Sequence, residues 1–173
     1  MPIPGVEQPR LLPVGPGLCL RRYDGPNAAA LGWYQNSETV WLVDGVRTPY
    51  DQPRLEQMYA WLDAHGELYW IEQADKAGRF APIGDVTFWQ QDMPIVIGEP
   101  SARGQGVGRQ VVRALIGRGR CLGYKELYVN EIYAWNTASR RLFEAVGFCA
   151  YEQTAHGARY RLRLEPDGLE SRA

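Results

Sequence analysis

Arg103-Gly-Gln-Gly-Val-Gly108 is the stretch on which the reading of this chain turns. A short apolar run, Pro94 to Gly98, leads into it, and an amphipathic helical pattern, Val107 to Arg120, leads out. A glycine-rich turn between a strand and a helix leaves several backbone N–H groups pointing one way. The helix macrodipole adds partial positive charge at the same place. Such a turn is a seat for a phosphate-bearing ligand.

Downstream, the spacing of Val107, Val111, Val112, Leu115 and Ile116 marks one helix face, closed by Gly123. Glu126 to Tyr133 reads as a strand, and Asn136 to Val146 as a second amphipathic helix stopped by Gly147. Phe148–Gln153 and Arg159–Leu164 read as a closing hairpin around His156 and Gly157. Upstream, Met93–Ile97 and Pro82–Trp89 read as an antiparallel pair joined by Gln90-Gln-Asp92, with Leu68–Ile71 as the strand before them. Asp51 and Pro53 start a helix that ends at Gly66. Trp41 to Tyr50 reads as a loop, Asn27–Gln35 as a short helix, and Leu18–Tyr23 as a first strand. The proline-rich residues 1–16 read as an extended segment over the surface, 17–165 as one domain, and 166–173 as a polar tail. Mostly antiparallel strands with interposed helices predict an α/β (α+β) sandwich, not a doubly wound sheet.

The 173 residues suffice for one substantial core. Nineteen basic against twenty acidic side chains give a net charge of −1, so no global charge draws the chain to nucleic acid or a membrane surface. No apolar run reaches the roughly 18 residues of a membrane span, and the first residues do not read as a secretory signal. Cys19, Cys121 and Cys149 are too scattered for a disulfide framework or a metal site. A reducing cytoplasm and no metal are the expectations.

Two common phosphate-binding fingerprints fail on the residues. The dinucleotide pattern needs a third glycine where Arg109 or Val111 stands. A P-loop needs Lys-Ser/Thr after its last glycine, and Arg109-Gln110 follows here. Arg103-x-x-Gly106-x-Gly108 instead resembles the acyl-CoA diphosphate loop of the GNAT superfamily of N-acetyltransferases. Asn136-Thr-Ala-Ser-Arg-Arg-Leu-Phe-Glu-Ala-Val-Gly-Phe148 is similar to that family's second signature, one helix and one strand later. Together the two cover about Pro94 to Phe148.

The resemblance implies a central mixed, mostly antiparallel sheet with helices on both faces. Two central strands, Met93–Gly98 and Glu126–Tyr133, would splay apart to admit the cofactor's pantetheine arm. Ile97 and Gly98 would offer main-chain partners to that arm. Arg103, Gly104, Gln105, Gly106, Val107, Gly108 and Arg109 would cradle the diphosphate. Asn136 and Ser139 would close the cofactor in from the other side. The co-substrate implied is acetyl-CoA and the reaction direct attack by a primary amine. A lysine-like amine, with pKa about 10.4, costs roughly 4 kcal/mol to deprotonate near pH 7. A positioned base meets that need. Glu131, five residues before Asn136, is the leading base by resemblance to ribosomal-protein N-terminal acetyltransferases, on the expectation that it shares a strand face with Leu127 and Val129. Asp92 and Glu72 are the lesser candidates. Many family members use a tyrosine where Phe143 stands, so Tyr133 or water is left to protonate the departing thiolate.

The acceptor, a small-molecule or peptide amine, is expected against the first half of the chain, at Trp33, Tyr34, Glu72 and Asp92. Aromatic faces and carboxylates suit a cation. Homodimers are frequent among proteins with this resemblance. A module that senses acyl-CoA without turnover is the alternative, left open by Phe143.

Overall fold

A computed structural model describes residues 3–164; the tail expected at 166–173 lies outside them. The elements run β1 (Leu11–Gly15), β2 (Leu18–Arg22), α1 (Ala28–Gln35), α2 (Ser37–Asp44) and α3 (Gln52–His65). Then come β3 (Glu67–Ala74), β4 (Phe80–Phe88), β5 (Ile95–Ile97), a 3-10 turn (Pro100–Ala102) and α4 (Val107–Cys121). The chain closes with β6 (Glu126–Tyr133), α5 (Thr137–Glu144), β7 (Cys149–Gln153) and β8 (Gly157–Arg163).

Strands pair antiparallel in two groups, β1-β2-β3-β4-β5 and β6-β8-β7. The division falls between β5 and β6, the two strands expected to splay. They meet only at one end. Gln90 Nε2 donates to Glu126 O, Tyr128 N to Gln90 O, and Asn130 N to Asp92 Oδ1. Residue numbers rise together on both sides of these contacts, so the two strands set off in parallel. Beyond Asn130 no strand pairing joins them among the described residues.

Strand β3 is buried on both faces, and its alternation sorts the core. Tyr69 and Ile71 join Val111, Val112 and Leu115 of α4, and Phe143 of α5, on one face. Leu68 and Trp70 join Trp33 and Tyr34 of α1, and Leu55, Tyr59 and Leu62 of α3, on the other. Helices therefore cover both faces, as the resemblance implied.

Three local readings change. Within the segment expected to run extended over the surface, Leu11–Gly15 is an edge strand on β2, with a bulge between Pro13 and Gly15 that suits a residue lacking an N–H. Trp41 is helical, not in a loop: Asn36 Oδ1 accepts from Glu38 N and Thr39 N and starts α2 directly after α1. Strand β6 carries a bulge between Val129 and Ile132, so the buried series runs Leu127, Val129, Ile132. Glu131 is thereby turned off the apolar face it was expected to share.

Candidate active site

The opening between β5 and β6 continues into a cavity of about 640 Å³. Ile95, Val96 and Ile97 form one wall, the loop from Arg103 to Arg109 the end, and Asn136, Ser139 and Leu142 of the α5 region the other wall. Thr39, Leu42 and Val43 of α2 roof it. Thr87 N–H donates to Pro94 O across β4 and β5. By antiparallel alternation Val96 then faces β4, while Ile95 and Ile97 turn N–H and C=O toward the gap.

The loop owes its shape to glycine. Gly104 and Gly106 have φ of +73° and +77°, and Gly106 is the N-cap of α4 without any side-chain cap. A Cβ on either would point into open space, so what glycine supplies here is backbone conformation at the edge of the cavity. Arg109 and Arg141 also line the cavity, and neither forms an ion pair among the described residues. Main-chain donors at a helix start beside free guanidinium groups suit a diphosphate.

Of the expected cofactor residues, Ile97, Arg103, Gly104, Gly106, Val107, Gly108, Arg109, Asn136 and Ser139 line the cavity. Gly98 and Gln105 do not. Gln105 Nε2 donates back to Ser101 O. Gly98 is covered by Trp33. Arg103 grips the end of β5: Nε donates to Ile97 O at 2.8 Å and Nη2 to Gly98 O at 3.1 Å. Asn136 is the N-cap of α5, accepting from Ser139 N at 3.0 Å, and its Nδ2 donates to Leu42 O at 3.0 Å. It thus ties α2 to α5 across the cavity roof.

The catalytic candidates lie outside the cavity lining. Glu131 and Tyr133 stand where β6 keeps β8 on one side but has no strand partner toward β5 among the described residues, past its last contact with the β4–β5 turn. Glu131 Oε1 accepts from the Thr154 hydroxyl. Burial pushes the Tyr133 phenol up, and Glu131 and Asp44 add to that, so it stays protonated. Its ring stacks on Trp135 at 4.7 Å, and Trp135 stacks on Trp41 at 4.4 Å. Asp92 is the pin at the closed end of the splay, accepting from Met93 N and Asn130 N. Burial raises its carboxyl while those two bonds oppose the rise. Phe143 is buried against Phe148 in the core and offers no hydroxyl.

Trp33, Tyr34 and Glu72, expected at the acceptor, are all buried and engaged within the fold. Glu72 pairs with Arg21 Nε at 2.8 Å. Tyr34 and Tyr59 both donate to Asp85, on β4 opposite Val96. Burial raises the Asp85 carboxyl to about 7 against the opposing pull of the two tyrosine bonds. The residues the sequence reading missed are those of α2 that roof the cavity. Their signal was the Asn36-Ser-Glu start of a helix, too short to show a period.

The model of the acetyltransferase (GNAT) family matches residues 30–148. The chain belongs to that family and is, by it, an acetyltransferase. No curated protein sequence gives a match. Solved structures share the fold. A domain from Methanocaldococcus jannaschii is 19% identical, with TM-score 0.72, over 85% of this chain and 98% of its own. The phosphinothricin acetyltransferase of Sinorhizobium meliloti, in complex with acetyl-CoA, is 21% identical, with TM-score 0.61, over 86% and 89%. A Salmonella typhimurium acetyltransferase that modifies the N-terminal serine of ribosomal protein L7/L12 is 17% identical, with TM-score 0.64, over 90% and 99%.

Proposed function

We propose that this protein transfers the acetyl group of acetyl-CoA to a primary amine by direct attack. The observation that carries the reading is the position of the Gly104–Gly108 cradle at the mouth of a cavity that runs along unpaired β5 backbone. The loop N–H groups from Arg103 to Arg109 would hold the diphosphate, with Arg109 and Arg141 adding charge. The N–H of Ile97 and the N–H and C=O of Ile95 would pair with the amides of the pantetheine arm, laying the thioester back along β5 toward the closed end of the splay.

Glu131 follows directly on Asn130 at that closed end, and Tyr133 lies two residues further along β6. Glu131, oriented through one oxygen by Thr154, keeps Oε2 to take the ammonium proton. The phenol of Tyr133, held neutral by burial, would return a proton to the thiolate. The stacked Trp41, Trp135 and Tyr133 rings give a cationic acceptor an aromatic flank. The acceptor is a small molecule or a peptide N-terminus, the two kinds that the neighbours above act on.

The test is release of free CoA thiol from acetyl-CoA across a library of amines and N-terminal peptides. Turnover with any primary amine supports the reading. Tight acetyl-CoA binding with no turnover on the whole library would favour a sensor of acyl-CoA instead.

A further inference from the structure

We infer that Trp33 and Glu99 act as a positioning pair that keeps a carboxylate away from the diphosphate seat. The inference rests on the acetyl-CoA reading above. Trp33 lies in α1 and is 5% exposed. Its indole covers Gly98 so closely that a Cβ there would sit 2.1 Å from the ring. Its Nε1 donates to Glu99 Oε1 at 3.0 Å. The next residue on the helix, Tyr34, donates to buried Asp85 and so anchors this turn of α1.

Glu99 occupies an awkward place. It follows the cofactor strand and opens the 3-10 turn that leads to Arg103. An N-cap carboxylate ordinarily accepts from the turn it starts, yet this one makes no such bond. It forms no ion pair among the described residues. Its main chain is pinned, with N–H donating to Ile83 O at 3.0 Å. Side-chain rotation is therefore its one freedom. Only three residues separate it from Arg103, whose guanidinium grips Ile97 O and Gly98 O. A freed carboxylate would turn to that guanidinium or face an incoming diphosphate, and either weakens cofactor binding. Trp33 prevents both by giving Glu99 a donor of its own.

The pair is tested by calorimetric titration of acetyl-CoA. Trp33→Phe keeps an aromatic ring on Gly98 and removes the donor; its affinity is expected to fall about tenfold. Adding Glu99→Gln to Trp33→Phe removes the charge and should recover most of that loss. A packing role alone gives no recovery. If Trp33→Phe does not fold, Glu99→Asp replaces it, because the shortened carboxylate cannot reach the indole. It should weaken binding by a similar factor, while Glu99→Gln binds at least as tightly as the unsubstituted chain. Equal losses in Trp33→Phe and the double variant, or no loss in either Trp33→Phe or Glu99→Asp, overturn the pairing alone. An unsubstituted chain that binds no acetyl-CoA overturns the underlying reading and the pairing with it.

Discussion

The Thr154 hydroxyl donates to Glu131 while accepting from Gly157 N–H at 2.9 Å, so the turn before β8 sets the aim of a carboxylate on β6. Glu131→Gln keeps the size and the hydrogen bond but cannot take a proton. Its kcat is expected to fall by about 10² to 10⁴, the usual range for a lost general base. Acetyl-CoA affinity should stay level, because Glu131 does not line the cavity. Initial rates with the best amine, beside a calorimetric Kd, check both halves. Unchanged kcat removes Glu131 from the chemistry.

Gly106 carries a second expectation. Its φ of +77° is one that a side chain resists, while the space around it is open. Gly106→Ala is therefore a backbone perturbation rather than a clash, with a strain of about 1–2 kcal/mol. Acetyl-CoA affinity should drop about tenfold as the N–H cradle deforms. A titration of wild type against variant reads this directly, and equal affinities would remove the cradle from cofactor binding.

Asn136 does two structural jobs with one side chain. Asn136→Ala loses the α5 cap and the bond to Leu42 O, for about 2 kcal/mol and a melting point several degrees lower. Asn136→Asp keeps the cap and loses only the tie to α2, so it should melt between the two. A ranking in which Asp melts as low as Ala would mean that the cap contributes nothing.

Asp85 makes stability depend on pH. Its folded value of about 7 lies above the ordinary 3.8, so the native state holds the proton more tightly than the unfolded chain. The stability linked to that proton is full below about pH 4 and is lost as pH rises through about 7. The span amounts to roughly 4 kcal/mol. Denaturant unfolding of wild type between pH 4 and 8 should show this slope. Asp85→Asn should flatten it and be the more stable of the two at pH 8. Parallel curves would remove Asp85 as the cause.

How much of this was readable in the residues depended on how local the determinant was. The cofactor loop was, because Arg103 to Gly108 are consecutive and glycine spacing carries backbone shape. The order of strands and helices from Leu68 onward followed from apolar runs and caps such as Asp51 and Gly123. The direction of Glu131 was not, since a bulge between Val129 and Ile132 breaks the alternation on which that expectation stood. Nor was the fate of Trp33, Tyr34 and Glu72. Aromatic and acidic residues read alike whether they face a ligand or each other, and here Asp85, Glu99 and Arg21 claim them from distant segments. The roof of the cavity rests on contacts between Leu42 and Asn136, far apart in the chain and silent in its periodicity.

The break between β5 and β6 also sets a rhythm of solvent exchange. Amides of β4 and β8 are bonded on both sides and should trade deuterium slowly. Those of Ile95 and Ile97 look into the opening and meet no strand partner among the described residues. They form a fast-exchanging stripe between two protected blocks, and a bound acyl-CoA would silence it. The molecule thus carries its own reporter of occupancy, legible by mass spectrometry before any acceptor is known.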